Sequence, residues 1–358
     1  MKAKVIGAVA GVLLAMVSTA SVARADFSGF PIAIGTPGAG YKADPAVWGT
    51  KVVWEDYLHS AGNSNICGYD LATSSSFGVG NSPGYNNRHP RISGNKVVWD
   101  INDMYIRGYD FSAGTQIPLP TVSTYAILPD IHDNIVVYRD TYRGLYGLAL
   151  ASGTGWTIAT TAVQSNAVRT DGTTVVWGDD RSGANNVAAR NVYGYDLTTG
   201  VAPEFPICLE QGEQSWPVVD GDWCVWLDSR GGNWDIRGLN LKTKQEVVIT
   251  SDPLWSGPRA ISGNIVVWED NRNGNYDIFG YDLVAGKEFP ICVAPGDQAD
   301  PDINGKLVVW VDYRNNSGGD IYGAYVPEPA TLSLLALGGL AMLRRRHISR
   351  KTRKGTEQ

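Results

Sequence analysis

Histidine and cysteine are scarce, with four of each in 358 residues. Cys67, Cys208, Cys224 and Cys292 fall in no CxxC pair, and His59, His89 and His132 form no His-x-x-His spacing. Zinc ligation and a Ser-His-Asp order therefore find no support, and no metal or cofactor is expected. Four cysteines allow three disulfide pairings, and buried free thiols remain equally open. Between the two ends no long helix-period stretch occurs, which argues against a helical body. Positive charge is also short. Residues 26–326 hold 20 basic against 34 acidic side chains, a net of −14. A body so acidic repels phosphate backbones, so no nucleic-acid partner is expected.

What is abundant is β-like: 42 Gly, 17 Tyr and 12 Trp. The two ends read differently. Residues 1–25 carry Lys2 and Lys4, an apolar core and an Ala23-Arg24-Ala25 cleavage site, the pattern of a secretory signal peptide cut before Asp26. A retained N-terminal anchor is the alternative. Residues 327–358 open with Pro327, Glu328 and Pro329, continue through an uncharged stretch from Ala330 to Leu343, and reach Arg344, Arg345 and Arg346. Fourteen helical residues rise about 21 Å, short of the roughly 30 Å hydrocarbon core. The Arg cluster would keep its end cytoplasmic while the body lies outside. This tail resembles the PEP-CTERM sorting signal. The resemblance implies a C-terminal hydrophobic helix that anchors the chain transiently in the membrane, an exosortase-type protease as partner, and a place at the cell envelope, cell surface or outside in bacteria that make extracellular polysaccharide. An ordinary C-terminal anchor is the alternative.

The body, residues 26–326, repeats. Seven apolar runs end in an aromatic residue, at Trp54, Trp99, Tyr138, Trp177, Trp226, Trp268 and Trp310, spaced 39 to 49 residues apart. Each unit resolves into four strand-sized pieces; in the sixth these are "PRAIS" (258–262), "IVVWED" (265–270), "DIFGYDL" (277–283) and "KEFPICV" (287–293). Val266 and Trp268 face one way, Ile265 and Val267 the other, so both sheet faces need cover. Seven sheets packed around an axis supply it. The seventh unit stops after "DIYGAYV" (320–326), and its missing piece appears first, at "FPIAIG" (30–35). The expectation is an all-β, seven-bladed β-propeller closed by its N-terminal strand, with an open solenoid as the competitor. The units resemble TolB-like propeller repeats, which carry the same W-x-D-x-R, Asp-Ile-Tyr and Asp-Leu pattern across residues 30–326. Such propellers serve as docking platforms, peptidase caps and, occasionally, lyases; related lyases for pectin fragments use a His/Gln metal cluster that these residues do not assemble.

Four units carry an explicit elbow: Asp179/Arg181, Asp228/Arg230, Asp270/Arg272 and Asp312/Arg314, with second acids at Asp235, Asp277 and Asp320. The structural reading is a hairpin pinned by Asp-Arg-Asp. A calcium loop and a catalytic pair are the alternatives. The Arg repels a cation, and a motif copied around a ring is a poor active site. Recurrent strand glycines (Gly68, Gly108, Gly194, Gly238, Gly280, Gly323) suggest a close approach by a neighbouring indole. Function belongs to what does not repeat. Tyr41, Tyr85, Tyr125, Trp216 and Trp255 rim one face and suit a glycan or a protein partner. The expected role is a non-catalytic binding scaffold. A carbohydrate-active lyase or glycosidase is the alternative, and a sensing ectodomain a third.

Overall fold

The computed structural model describes residues 29–33, 40–57, 63–80, 84–119, 125–160, 168–181, 190–199, 204–251, 257–315 and 317–326. These form an all-β, seven-bladed propeller of seven four-stranded antiparallel sheets. In blade 6 the strands are Pro258–Ser262, Ile265–Asp270, Asp277–Asp282 and Lys287–Cys292, from the axis outward. The expected signal peptide and expected C-terminal helix, together with Trp255, the Pro-Glu-Pro and the Arg cluster, lie outside the described residues. Among the described residues no helix is long and apolar enough to cross a membrane.

Alternation along the second strand explains the assembly. Val266 and Trp268 pack with Val218, Val225 and Ile236 of blade 5, whereas Ile265 and Val267 pack with Val308 and Trp310 of blade 7. Every sheet is thus glued on both faces, and each needs two neighbours. Trp99, Trp177, Trp226, Trp268 and Trp310 are fully buried as a result. These indoles are core.

The seam between first and last blades is built from the N-terminal segment. Phe30–Ala33 pairs antiparallel with Asp320–Tyr325, Phe30 facing Gly323 and Pro31 facing Tyr322. Side chains then carry the closure onward. The Asp302 carboxylate of blade 7 accepts the Val47 N–H of blade 1 at 2.8 Å, and Asn304 accepts the Gly49 N–H at 2.9 Å. The same two devices recur inside the ring, where Asp130 accepts the Thr170 N–H and Ser262 accepts the Gly305 N–H. The seam is bonded like any other interface. That is what a ring requires and an open spiral lacks.

Two sequence expectations change in detail. The strand glycines are covered by the outer strand of their own blade, not by a neighbouring indole. Phe77, Phe205 and Phe289 lie over Gly68, Gly194 and Gly280, their direct cross-strand partners, and leave no room for a Cβ. In the elbows, the Arg does not clasp the second acid. Arg272 donates its backbone N–H to Asp270 Oδ1 at 2.8 Å and its guanidinium to Oδ2, then reaches Glu288 on the outer strand at 2.6 Å. Arg181 and Arg230 do the same with Glu204 and Glu246. Asp277 instead accepts the amides of Asn273 and Asn275, and Asp235 pairs with Arg237.

The elbow is therefore a stack. Trp310 Nε1 donates to Asp312 Oδ2 at 2.9 Å, Arg314 binds the same carboxylate, and its guanidinium lies 4.6 Å from the Tyr322 ring centroid. Burial opposes ionisation of Asp228 and Asp270, but hydrogen bonds from Arg230 and Arg272 win and hold both carboxyls below the usual range. Asp270→Ala leaves Arg272 and the Trp268 N–H short of a partner. It is expected to cost about 2–4 kcal/mol in urea unfolding followed by Trp fluorescence. A loss below about 0.5 kcal/mol, the size of an ordinary surface substitution, would contradict the scaffold reading.

Candidate functional site at the channel mouth

In five of the seven blades the innermost strand carries a bulge that spans a proline. Register shifts there between Ala43 and Ala46, Arg88 and Arg91, Ile127 and Asp130, Ser215 and Val218, and Ala299 and Asp302. The residue preceding the proline takes a positive φ: Asp44 (44°), His89 (52°), Leu128 (51°), Trp216 (53°) and Asp300 (52°). This conformation is costly for residues with a Cβ, about 1–2 kcal/mol each, and points to functional demand. It turns those five side chains into the mouth of the central channel. They share a cavity of about 420 Å³ with Arg91, Asp130, Arg169, Arg259 and Asp302, which stand just after the proline position. Trp48 meets His132 edge-on, ring centroids 5.2 Å apart, and narrows the far end of the channel from blade 1 to blade 3.

Acids from the preceding blade hold the strained residues in place. Glu55 accepts the His89 N–H at 2.7 Å, Asp100 the Leu128 N–H at 3.2 Å, and Glu269 the Asp300 N–H at 2.7 Å. The mouth is asymmetric. On blades 7, 1 and 2 stand Asp300, Asp44 and His89; Leu128 and Trp216 stand on blades 3 and 5. Arg259 Nη2 pairs with Glu269 and sits 3.4 Å from Asp300, while its Cζ lies 6.0 Å from the Trp216 ring centroid.

Electrostatics separate neighbouring carboxyls. Burial and the adjacent Asp44 charge raise Glu55 to about 7. Burial also opposes ionisation of Asp44, but Arg91, His89 and Arg259 overcome it and lower its pKa. Burial raises Asp300 to about 6, against the pull of Arg259. Burial would lower His89, but its 2.7 Å bond from Nδ1 to Asp100 Oδ2 and the nearby Asp44 charge raise it. Asp44, Glu55 and His89 each bring a ligand atom within 4.8 Å of the others, as do His89, Asp100 and Asp103. The set suits a cation poorly, because His89 Nδ1 is taken by Asp100 and two arginines act on Asp44.

The aromatic rim divides. Tyr41 stacks on Tyr57 at 3.8 Å, and Tyr125 meets Tyr142 edge-on at 4.7 Å. Tyr41, Tyr85, Tyr125 and Tyr142 are exposed on the elbow face and Tyr57 is half-buried, but no ring contact joins Tyr41, Tyr85 and Tyr125 to one another. Of the four that are described, Trp216 alone lines the channel. Sequence reasoning missed Asp44, His89, Arg91, Arg169, Arg259 and Asp300. Their signal was legible: the proline recurs in six units, and no two of them carry the same pair of residues beside it.

Residues 326–346 match the PEP-CTERM protein-sorting motif, which marks the chain for exosortase-dependent export to the cell envelope or surface. No curated protein matches the chain. Among solved structures, the β-propeller domain of the Trilobed protease from Pyrococcus furiosus aligns with a TM-score of 0.63 at 12% identity, covering 81% of this chain and 94% of that one. Oligogalacturonate lyase from Vibrio parahaemolyticus gives 0.57 at 16%, covering 81% and 90%. The acylaminoacyl peptidase of Pyrococcus horikoshii gives 0.62 at 11%, and the chain spans 54% of its length. These likenesses establish the fold alone.

A carboxyl whose pKa is raised on folding stabilises the fold below its unfolded value and loses that contribution as pH climbs through the folded one. For Glu55 the window runs from about 4.5 to about 7. Glu55→Gln is therefore expected to match the parent near pH 5 and to gain about 2–4 °C in melting temperature over it by pH 8. A difference that stays flat with pH contradicts this assignment.

Proposed function

We propose that this chain, once its signal peptide (residues 1–25) is removed, is a cell-surface propeller (residues 26–326) that binds a glycan non-catalytically, with residues 327–358 as its sorting and transient membrane segment. The observation that carries the reading is the mouth itself. Non-repeating side chains are thrust into a 420 Å³ cavity from strained positions of a repeating scaffold. A half-buried indole, Trp216, offers a flat apolar face for the C–H side of a sugar ring, and Asp44 and Asp300 offer acceptors for its hydroxyls. The Tyr41/Tyr57 and Tyr125/Tyr142 pairs, with Tyr41, Tyr125 and Tyr142 exposed, extend the surface outward for a longer chain. No resident cofactor is needed for such a role.

A second reading has one specific observation in its favour. Asp44 and Glu55 are adjacent carboxyls with pKa values driven apart, the arrangement that assigns a base and an acid in glycoside cleavage. The two readings separate in one assay, with the full chain incubated on a panel of polysaccharides and screened for retention and for new reducing ends or unsaturated products. Binding without products is expected, weakened about tenfold, or ~1.4 kcal/mol, by Trp216→Ala. Products that vanish in Glu55→Gln would establish the enzyme, and retention unaffected by Trp216→Ala would move the site out of the channel.

A further inference from the structure

Three blades place an arginine just after the proline position, and the three are treated differently. Arg259 is paired with Glu269 and Asp300. Arg91 and Arg169 are in no ion pair with any described residue. Each spends one N–H on the carbonyl directly before it, Arg91 on Pro90 at 2.7 Å and Arg169 on Val168 at 3.1 Å. A guanidinium has five N–H donors, so both keep most of theirs facing the cavity.

The two charges also act on each other. Burial, then repulsion by Arg91, pulls Arg169 down to about 10 against the attraction of Asp130, Asp302 and Asp44. Those carboxylates attract it from beyond ion-pair distance, and each already has another duty. Asp130 and Asp302 accept the Thr170 and Val47 N–H groups that tie blade to blade, and Asp44 stands 4.0 Å from His89 Nε2. Like charges brought together in a channel, short of acceptors, cost stability unless something else meets them.

We propose that Arg91 and Arg169 form a carboxylate-binding site inside the channel, and that its occupant is the carboxylate of an acidic sugar whose ring rests at the Trp216 mouth. This rests on the glycan reading above and adds the ligand's charge class. The planar fork of each guanidinium matches a planar carboxylate, which one arginine binds through two parallel hydrogen bonds while the second neutralises it. An acidic sugar is favoured over an acidic peptide because Asp44 and Asp300 at the entrance are acceptors. They suit a hydroxyl-rich ring and repel a run of carboxylates.

The test uses the full chain and three probes in calorimetry: a glucuronate trisaccharide with one terminal glucuronate on two glucose units, the neutral glucose trisaccharide of the same linkage, and N-acetyl-triglutamate. The glucuronate trisaccharide is expected to bind at least tenfold more tightly than either other probe. Arg91→Gln and Arg169→Gln should each remove that preference, leaving the neutral sugar's affinity within twofold. Ligand-free Arg169→Met should melt no lower than the parent, since it deletes a charge without a partner. Equal affinity for the two sugars sinks the carboxylate site and leaves the glycan reading standing. Binding of neither sugar sinks both. Preference for the glutamate peptide, or a clearly lower melting point for Arg169→Met with sugar preference retained, overturns the proposal.

Discussion

Pairing of Phe30–Ala33 with Asp320–Tyr325 is the constraint on which the remainder of the molecule depends. A blade with two apolar faces is stable only between two neighbours, so an array of such blades has either two exposed ends or none. The leading strand gives blade 7 its fourth strand, and Ile32 joins Val52, Trp54, Val309 and Ile321 in one cluster across the seam. Asp302 and Asn304 then bond blade 7 to blade 1 at the axis. The candidate site straddles this seam. Asp300 belongs to the last blade and Asp44 to the first, and the charge of one reaches the other only because the ring is shut.

A symmetric scaffold produces an asymmetric site here by separating two kinds of position. Residues that face neighbouring blades repeat, because each interface has the same shape to fill: Val-Val-Trp, the strand glycine, the Asp-Arg elbow. At the inner bulges, pre-proline residues line the channel and fill no blade-to-blade core, so their identity is freer of that demand. Their backbone strain is held by Glu55, Asp100 and Glu269 from the blade behind, so two buried acids and one half-buried acid have a structural duty before any functional one. Buried beside other charges, the same acids also shift the mouth's titration, which makes Glu55 and Asp44 chemically unequal neighbours.

Much of this was legible in the sequence. Seven aromatic-ended runs gave the blade number, strand alternation gave the two covered faces, and the displaced "FPIAIG" segment gave the closure. What was not legible concerns partners across space. Periodicity says that Gly280 needs a close neighbour, yet Phe289, an outer-strand ring, fills the role expected of an indole. It says that Arg272 seeks two carboxylates, yet the second is Glu288 rather than Asp277, because the guanidinium lies flat on Phe279 and reaches outward. The channel mouth was hidden for a different reason. A reading that sorts positions into repeating and variable loops passes over single variable positions inside a repeating strand, and Asp44, His89, Arg91, Arg169 and Asp300 are such positions.

Amide hydrogen exchange reports whether the ring is shut. In the intact chain, the amides of Ile321, Tyr322 and Gly323 are expected to exchange as slowly as those of Val308 to Trp310 in the adjoining strand. In a chain lacking residues 26–33 they should exchange orders of magnitude faster, and the protection of Val47 and Gly49 across the seam should fall with them. Equal protection of these amides with and without the leading strand would contradict the claim.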